Sequence, residues 1–214
     1  MNHLPSPVSY REDINGLRAW AVIAVVVFHF AAFILPGGFV GVDIFFVISG
    51  YLMTAIILGG LEKGKFSITK FYLSRIRRIL PALLTVIVVL ILMGWFYLPS
   101  IEYESLNEQA IKALLFFSNI HYYSSSGYFD GDSHDKWLLH TWSLSVEAQF
   151  YLLYPIFLIL IWKLTKSIKI VSILLIVAFA TSFSLNVYVS TVKPQAAFFL
   201  LPTRGWELIT GGLV

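Results

Sequence analysis

The chain has 214 residues, 58% of them hydrophobic, 16% aromatic and only 13% charged, with a mean hydropathy of +0.80 and a formal charge of +3. A soluble domain carries about 25% charged residues and no apolar run long enough to cross lipid, so these values exclude one and indicate a multi-span membrane protein. Cysteine is absent, which excludes disulfides, thiolate metal sites and thiol catalysis.

A span of about 20 residues predicts an all-α fold: a polytopic transmembrane helix bundle of about six spans plus one short interfacial or re-entrant helix. The candidate spans are Leu17–Leu35, Phe39–Leu58, Ile79–Leu98, Ser143–Trp162, Ile168–Tyr188 and Phe198 onward. The first follows a mostly polar leader with no small-residue cleavage pattern behind it, so it reads as a retained helix and not a signal peptide. The last contains Thr210-Gly211-Gly212 and stops at Val214, so residues 1–214 read as one continuous domain, truncated at its C-terminus.

Orientation follows from Lys and Arg. Lys63, Lys65, Lys70, Arg75, Arg77 and Arg78 stand against the single acid Glu62 between the second and third spans, which places that loop, and with it the N-terminus, in the cytoplasm. The third span then delivers Glu102, Glu104 and Glu108 to the outside. Counting Ala110–Ile120 as a span would put Lys163, Lys166 and Lys169 outside. It is too short to cross, and reads as the interfacial or re-entrant helix, followed by an outer loop over Ser124–Lys136 that includes Tyr128–Asp132.

Ionisable groups within spans cost about 2.5–3.5 kcal/mol each, so each is a candidate for function. Arg18 and His29 lie eleven residues apart, which is about 1100° of rotation and about 16.5 Å of rise: one helix face, two depths. The turn Pro36-Gly37-Gly38 folds the second span back on the first and brings Asp43 to the depth of His29, and Glu147 reaches a similar depth on the fourth span. A histidine beside carboxylates suits general-base chemistry on a hydroxyl. Simpler roles fit the same residues: an interhelical hydrogen bond for His29, snorkelling for Arg18, structural pairing for Asp43 and Glu147. Arg75, Arg77 and Arg78 serve either as a topology signal or as a site for phosphate groups.

Four blocks of sequence go further. Arg18-(ten residues)-His29, Gly41-Val42-Asp43-Ile44-Phe45-Phe46-Val47-Ile48-Ser49-Gly50-Tyr51, Phe71 to Ala82 with its Arg75-Ile76-Arg77-Arg78, and Leu139-His140-Thr141-Trp142-Ser143-Leu144-Ser145-Val146-Glu147 together resemble acyltransferase family 3, and Arg204-Gly205-Trp206-Glu207-Leu208 resembles a later motif of the same family. The resemblance implies a bacterial inner-membrane O-acyltransferase taking an acyl group, usually acetyl, from acetyl-CoA as donor substrate. The acceptor it implies is a sugar hydroxyl of an envelope glycan or lipid-linked sugar, with lipopolysaccharide O-antigen acetylases as the most similar members. It carries functional importance to Arg18 and His29, to Arg75 and Arg78, and to Glu147. Some members continue into a periplasmic SGNH-hydrolase-like domain. Ala148 departs from the family, which commonly has an acid there.

Joined to the depth argument, the resemblance implies one mechanism. Arg75 and Arg78, with Arg18, hold coenzyme A phosphates at the inner face, and the pantetheine arm extends outward. His29, oriented by Asp43 or Glu147, takes the proton of an acceptor hydroxyl, with either direct transfer or an acyl-histidine to follow. Ser49, Thr54 and Ser143 are candidate lining groups, each equally able to bond a carbonyl of its own helix. No metal and no nucleic acid is expected; membrane lipids surround the bundle. The competing class is a proton-coupled transporter using His29 and Glu147 as a relay, which would cleave no thioester.

Overall fold

The computed structural model describes residues 12–125 and 136–214. Among them the regular elements are all helical: α1 (Glu12–Phe30), a 3₁₀ turn (Gly38–Val40), α2 (Gly41–Glu62), α3 (Ile68–Tyr97), α4 (Ser100–Leu114), α5 (Ser118–Ser125), α6 (Thr141–Thr165), α7 (Ile168–Val192), α8 (Pro194–Phe199) and α9 (Leu201–Leu213). Five are long and apolar enough to cross a membrane: α1, α2 with its leading turn, α3, α6 and α7. Helix is the form such segments must take, because lipid offers no partner for an open backbone. The Tyr128–Asp132 stretch assigned to an outer loop lies outside the described residues.

Three expectations change. The segment between the second and third spans is not a long loop. Ser67 caps α3, its hydroxyl accepting from the Lys70 amide at 3.4 Å, and the helix runs from Ile68, well before Ile79. Arg75 and Arg78 therefore sit at i, i+3 on a helix face and not on a free loop. The Ala110–Ile120 helix becomes two, neither of spanning length. Phe116 adopts φ 56°, a left-handed conformation costly for an aromatic residue, and Gln149 Nε2 donates to its carbonyl at 3.0 Å. Ser118 and Ser145 bond at 2.7 Å and Gln149 Nε2 donates to Asn119 Oδ1 at 2.8 Å, fastening α5 to α6.

The segment from Phe198 is likewise not one run. Leu200 is extended and Pro202 opens α9, so the chain breaks there. Side chains take up the freed carbonyls: Asn119 donates to Phe199 at 3.1 Å, Ser182 to Pro202 at 2.7 Å, and Asn186 to Thr203 at 2.7 Å. Helix α9 packs between α2 and α7. Gly50 and Gly211 make this contact, since a Cβ at Gly50 would fall on the Leu208 carbonyl and one at Gly211 on the Val47 carbonyl. The glycines that look out of place in a span are thus a helix–helix seam. Around it lies the core of Phe46, Met53, Ile57, Val146, Phe150, Tyr154, Leu158 and Leu208.

Candidate functional site

Two cavities open on either side of one partition. The first, of about 490 Å³, lies beside the α1–α2 turn. His29, Asp43, His140, Ser143, Glu147 and Arg204 line it, among Phe46, Trp142 and Phe198. The second, of about 340 Å³, lies toward the α2–α3 end and is lined by Arg18, Arg75, Arg78, Glu147 and Tyr151, with Ile79. Phe45 and Glu147 belong to both walls. Helix α1 supplies Arg18 to one cavity and His29 to the other. The six site residues taken from the sequence thus fall into two groups, His29 with Asp43 and Arg18 with Arg75 and Arg78, with Glu147 between them.

His29 is not oriented by either acid. Its Nδ1 donates to the Val25 carbonyl at 2.7 Å, one turn back on its own helix. A carbonyl only accepts, so Nδ1 carries the hydrogen and the neutral ring keeps its lone pair on Nε2. Both acids are engaged elsewhere. Arg204 donates to Asp43 across the α2–α9 seam, and Ser49 and Tyr151 both donate to Glu147 Oε1. Ser49 therefore bonds across helices. Thr54 donates to the Gly50 carbonyl at 2.8 Å and meets Tyr154 OH at 2.6 Å, and Ser143 donates to the His140 carbonyl at 3.2 Å.

Three residues were not singled out from sequence. Arg204 pairs with Asp43 and lies 3.0 Å from Glu207, whose side chain is only 1% exposed. Its guanidinium also stands 5.6–5.8 Å from the centres of the Phe46, Trp142 and Phe198 rings. The signal was available, since Arg204 and Glu207 are charges within an apolar segment. His140, just ahead of α6, places its ring edge-on to His29 with centroids 4.5 Å apart. Among the described residues neither of its ring nitrogens has a hydrogen-bond partner. Packing around the ring, and secondly the neighbouring His29, lower its pKa from the ordinary imidazole value.

In the second cavity, Arg18, Arg75 and Arg78 make no ion pair among the described residues, and the buried Nε atoms of Arg18 and Arg75 have no hydrogen-bond partner. Three guanidiniums with unspent donors fit a polyanion such as a nucleotide phosphate. Among the described residues no three histidine or acidic side chains are grouped to hold a metal ion.

The family model described as an acyltransferase domain matches residues 11–214. The peptidoglycan O-acetyltransferase OatA of Listeria monocytogenes is 36% identical over 206 residues, covering 94% of this chain and 33% of that protein. The O-acetyltransferase OatA of Staphylococcus aureus is 33% identical over 205 residues, again 94% of this chain and 34% of the relative. An uncharacterised protein of Haemophilus influenzae is 36% identical over 177 residues, 80% of this chain and 72% of its own. The chain thus spans about a third of the length of the named relatives. No solved structure matches it significantly. With a match that runs over nearly its whole length, the chain belongs to acyltransferase family 3.

Proposed function

We propose that this chain carries the donor and acceptor sites of a membrane O-acyltransferase, which moves an acetyl group from a coenzyme A thioester to a sugar hydroxyl of an envelope glycan. One observation carries the reading: a cavity with three guanidiniums that make no ion pair among the described residues and a cavity with an imidazole whose Nε2 is free to act as a base meet at a common wall of Phe45 and Glu147. The Lys- and Arg-rich α2–α3 end faces the cytoplasm on charge grounds, and with it the arginine cavity. Coenzyme A phosphates then dock on Arg18, Arg75 and Arg78 from inside, and the glycan reaches His29 from outside. His29 Nε2 takes the hydroxyl proton, the oxygen bonds the acyl carbon, the C–S bond breaks, and the thiolate leaves with the proton. The names of the relatives make a peptidoglycan-type acceptor the first to test, ahead of lipopolysaccharide O-antigen.

The test is coenzyme A release from acetyl-CoA by the full-length protein in nanodiscs, followed with a thiol-reactive dye, with muropeptides or O-antigen supplied. Release should require a glycan, be lost in His29→Ala, and need higher donor concentrations in Arg75→Ala/Arg78→Ala. Release unaffected by His29→Ala removes it from the chemistry. No release with any glycan favours a proton-coupled transporter.

A further inference from the structure

The two cavities pose a physical problem that the residues between them answer. A cluster of arginines that attracts nucleotide phosphates attracts every other small anion too, and a passage wide enough for a pantetheine arm would let them through. The group at the junction carries the opposite charge. Glu147 lines both cavities, and its carboxylate accepts from Ser49 on α2 and from Tyr151 on α6. Both donors are buried, at 1% and 7% exposure, so the carboxylate is held in place from a neighbouring helix and from one turn along its own. It lies within Coulombic reach of Arg18 and Arg75 on one side and shares the other cavity with His29, His140 and the Asp43–Arg204 pair.

We propose that Glu147 is the charge barrier of the wall shared by the two cavities, which the donor arm must cross on the reading above, stopping phosphates and free anions at the arginines while the neutral acyl-pantetheine arm slides past it. Fixed rings of one sign set selectivity in channels by the same means. This assignment rests on the donor and acceptor reading above and gives Glu147 a task distinct from proton transfer. Ser49 and Tyr151 are then positioning residues, holding the charge at the neck.

The full-length protein in sealed proteoliposomes with an entrapped iodide-quenched dye reads the barrier directly. Wild type and Glu147→Asp should stay tight, while Glu147→Gln, which keeps the hydrogen-bonding shape without the charge, should admit iodide at least about tenfold faster. Ser49→Ala with Tyr151→Phe, which frees the carboxylate from the neck, should also raise influx and covers the case in which Glu147→Gln does not fold. Coenzyme A itself, titrated onto detergent-solubilised protein, should bind Glu147→Gln several-fold more tightly than wild type, because a repelling charge has gone. Iodide influx unchanged in both folded variants overturns the barrier. If wild type fails to bind coenzyme A, the donor reading falls, and the iodide measurement still decides the barrier.

Discussion

Among the described residues Arg204 is the one cation beside two carboxylates at the α2–α9 seam, and this makes its replacement more costly than that of either acid. Arg204→Met strands Asp43, 30% exposed, and Glu207, 1% exposed, in a low-dielectric setting. Breaking a buried pair from one side costs about 3–5 kcal/mol, and the loss of the guanidinium from three aromatic faces adds to it. Asp43→Asn leaves Arg204 with Glu207 at 3.0 Å and still offers an amide oxygen, so its cost is one hydrogen bond's worth, about 1 kcal/mol. Adding Glu207→Gln to Arg204→Met removes the buried charge that the first change orphaned, and should return about 1–3 kcal/mol. Reversible unfolding in mixed dodecyl maltoside–SDS micelles ranks the three. The reasoning is refuted if Asp43→Asn costs as much as Arg204→Met, or if Glu207→Gln destabilises the Arg204→Met protein further.

Gly211→Val drives a side chain into the Val47 carbonyl and should cost at least about 1–3 kcal/mol by the same unfolding assay, whereas Gly59→Ala, with nothing within 4 Å of the new Cβ, should be neutral or stabilising by about 0.5–1 kcal/mol. Equal effects of the two would dismiss the seam. His140 sets a pH dependence. Its folded imidazole is harder to protonate than the unfolded one, so the unfolded state binds more protons and stability falls as pH drops below about 6.5. His140→Gln should flatten the curve below about pH 6.5; an unchanged slope in the same unfolding titration would contradict the packing seen around the ring.

How far the sequence could be read depended on how local the cause was. The cores of α1, α2, α3, α6 and α7 are visible as apolar length because lipid demands it of each segment separately. The break at Phe116 is not, since a bulky residue at φ 56° goes against its own preference and is held there by Gln149, more than thirty residues away. The break at Leu200 is half visible: Pro202 announces it, but the partners that make it tolerable, Asn119, Ser182 and Asn186, come from α5 and α7. Depth counting brought His29, Asp43 and Glu147 to one cavity, yet depth says nothing of partners. Asp43 faces an arginine from the far end of the chain, and His29 meets a second histidine from a segment read only as a motif.

Helix α1 is a single rod that packs along α2 and its leading turn, where Gly38 meets Ala24 and Phe28 and Gly41 meets Ala21 and Val25. One tip of it touches each cavity, Arg18 below Ala21 and His29 above, about 16.5 Å apart along the axis. One rigid helix thus sets the spacing between the arginine of one cavity and the imidazole of the other, so that a residue inserted or deleted between Arg18 and His29 would turn one of them by about 100° out of its cavity.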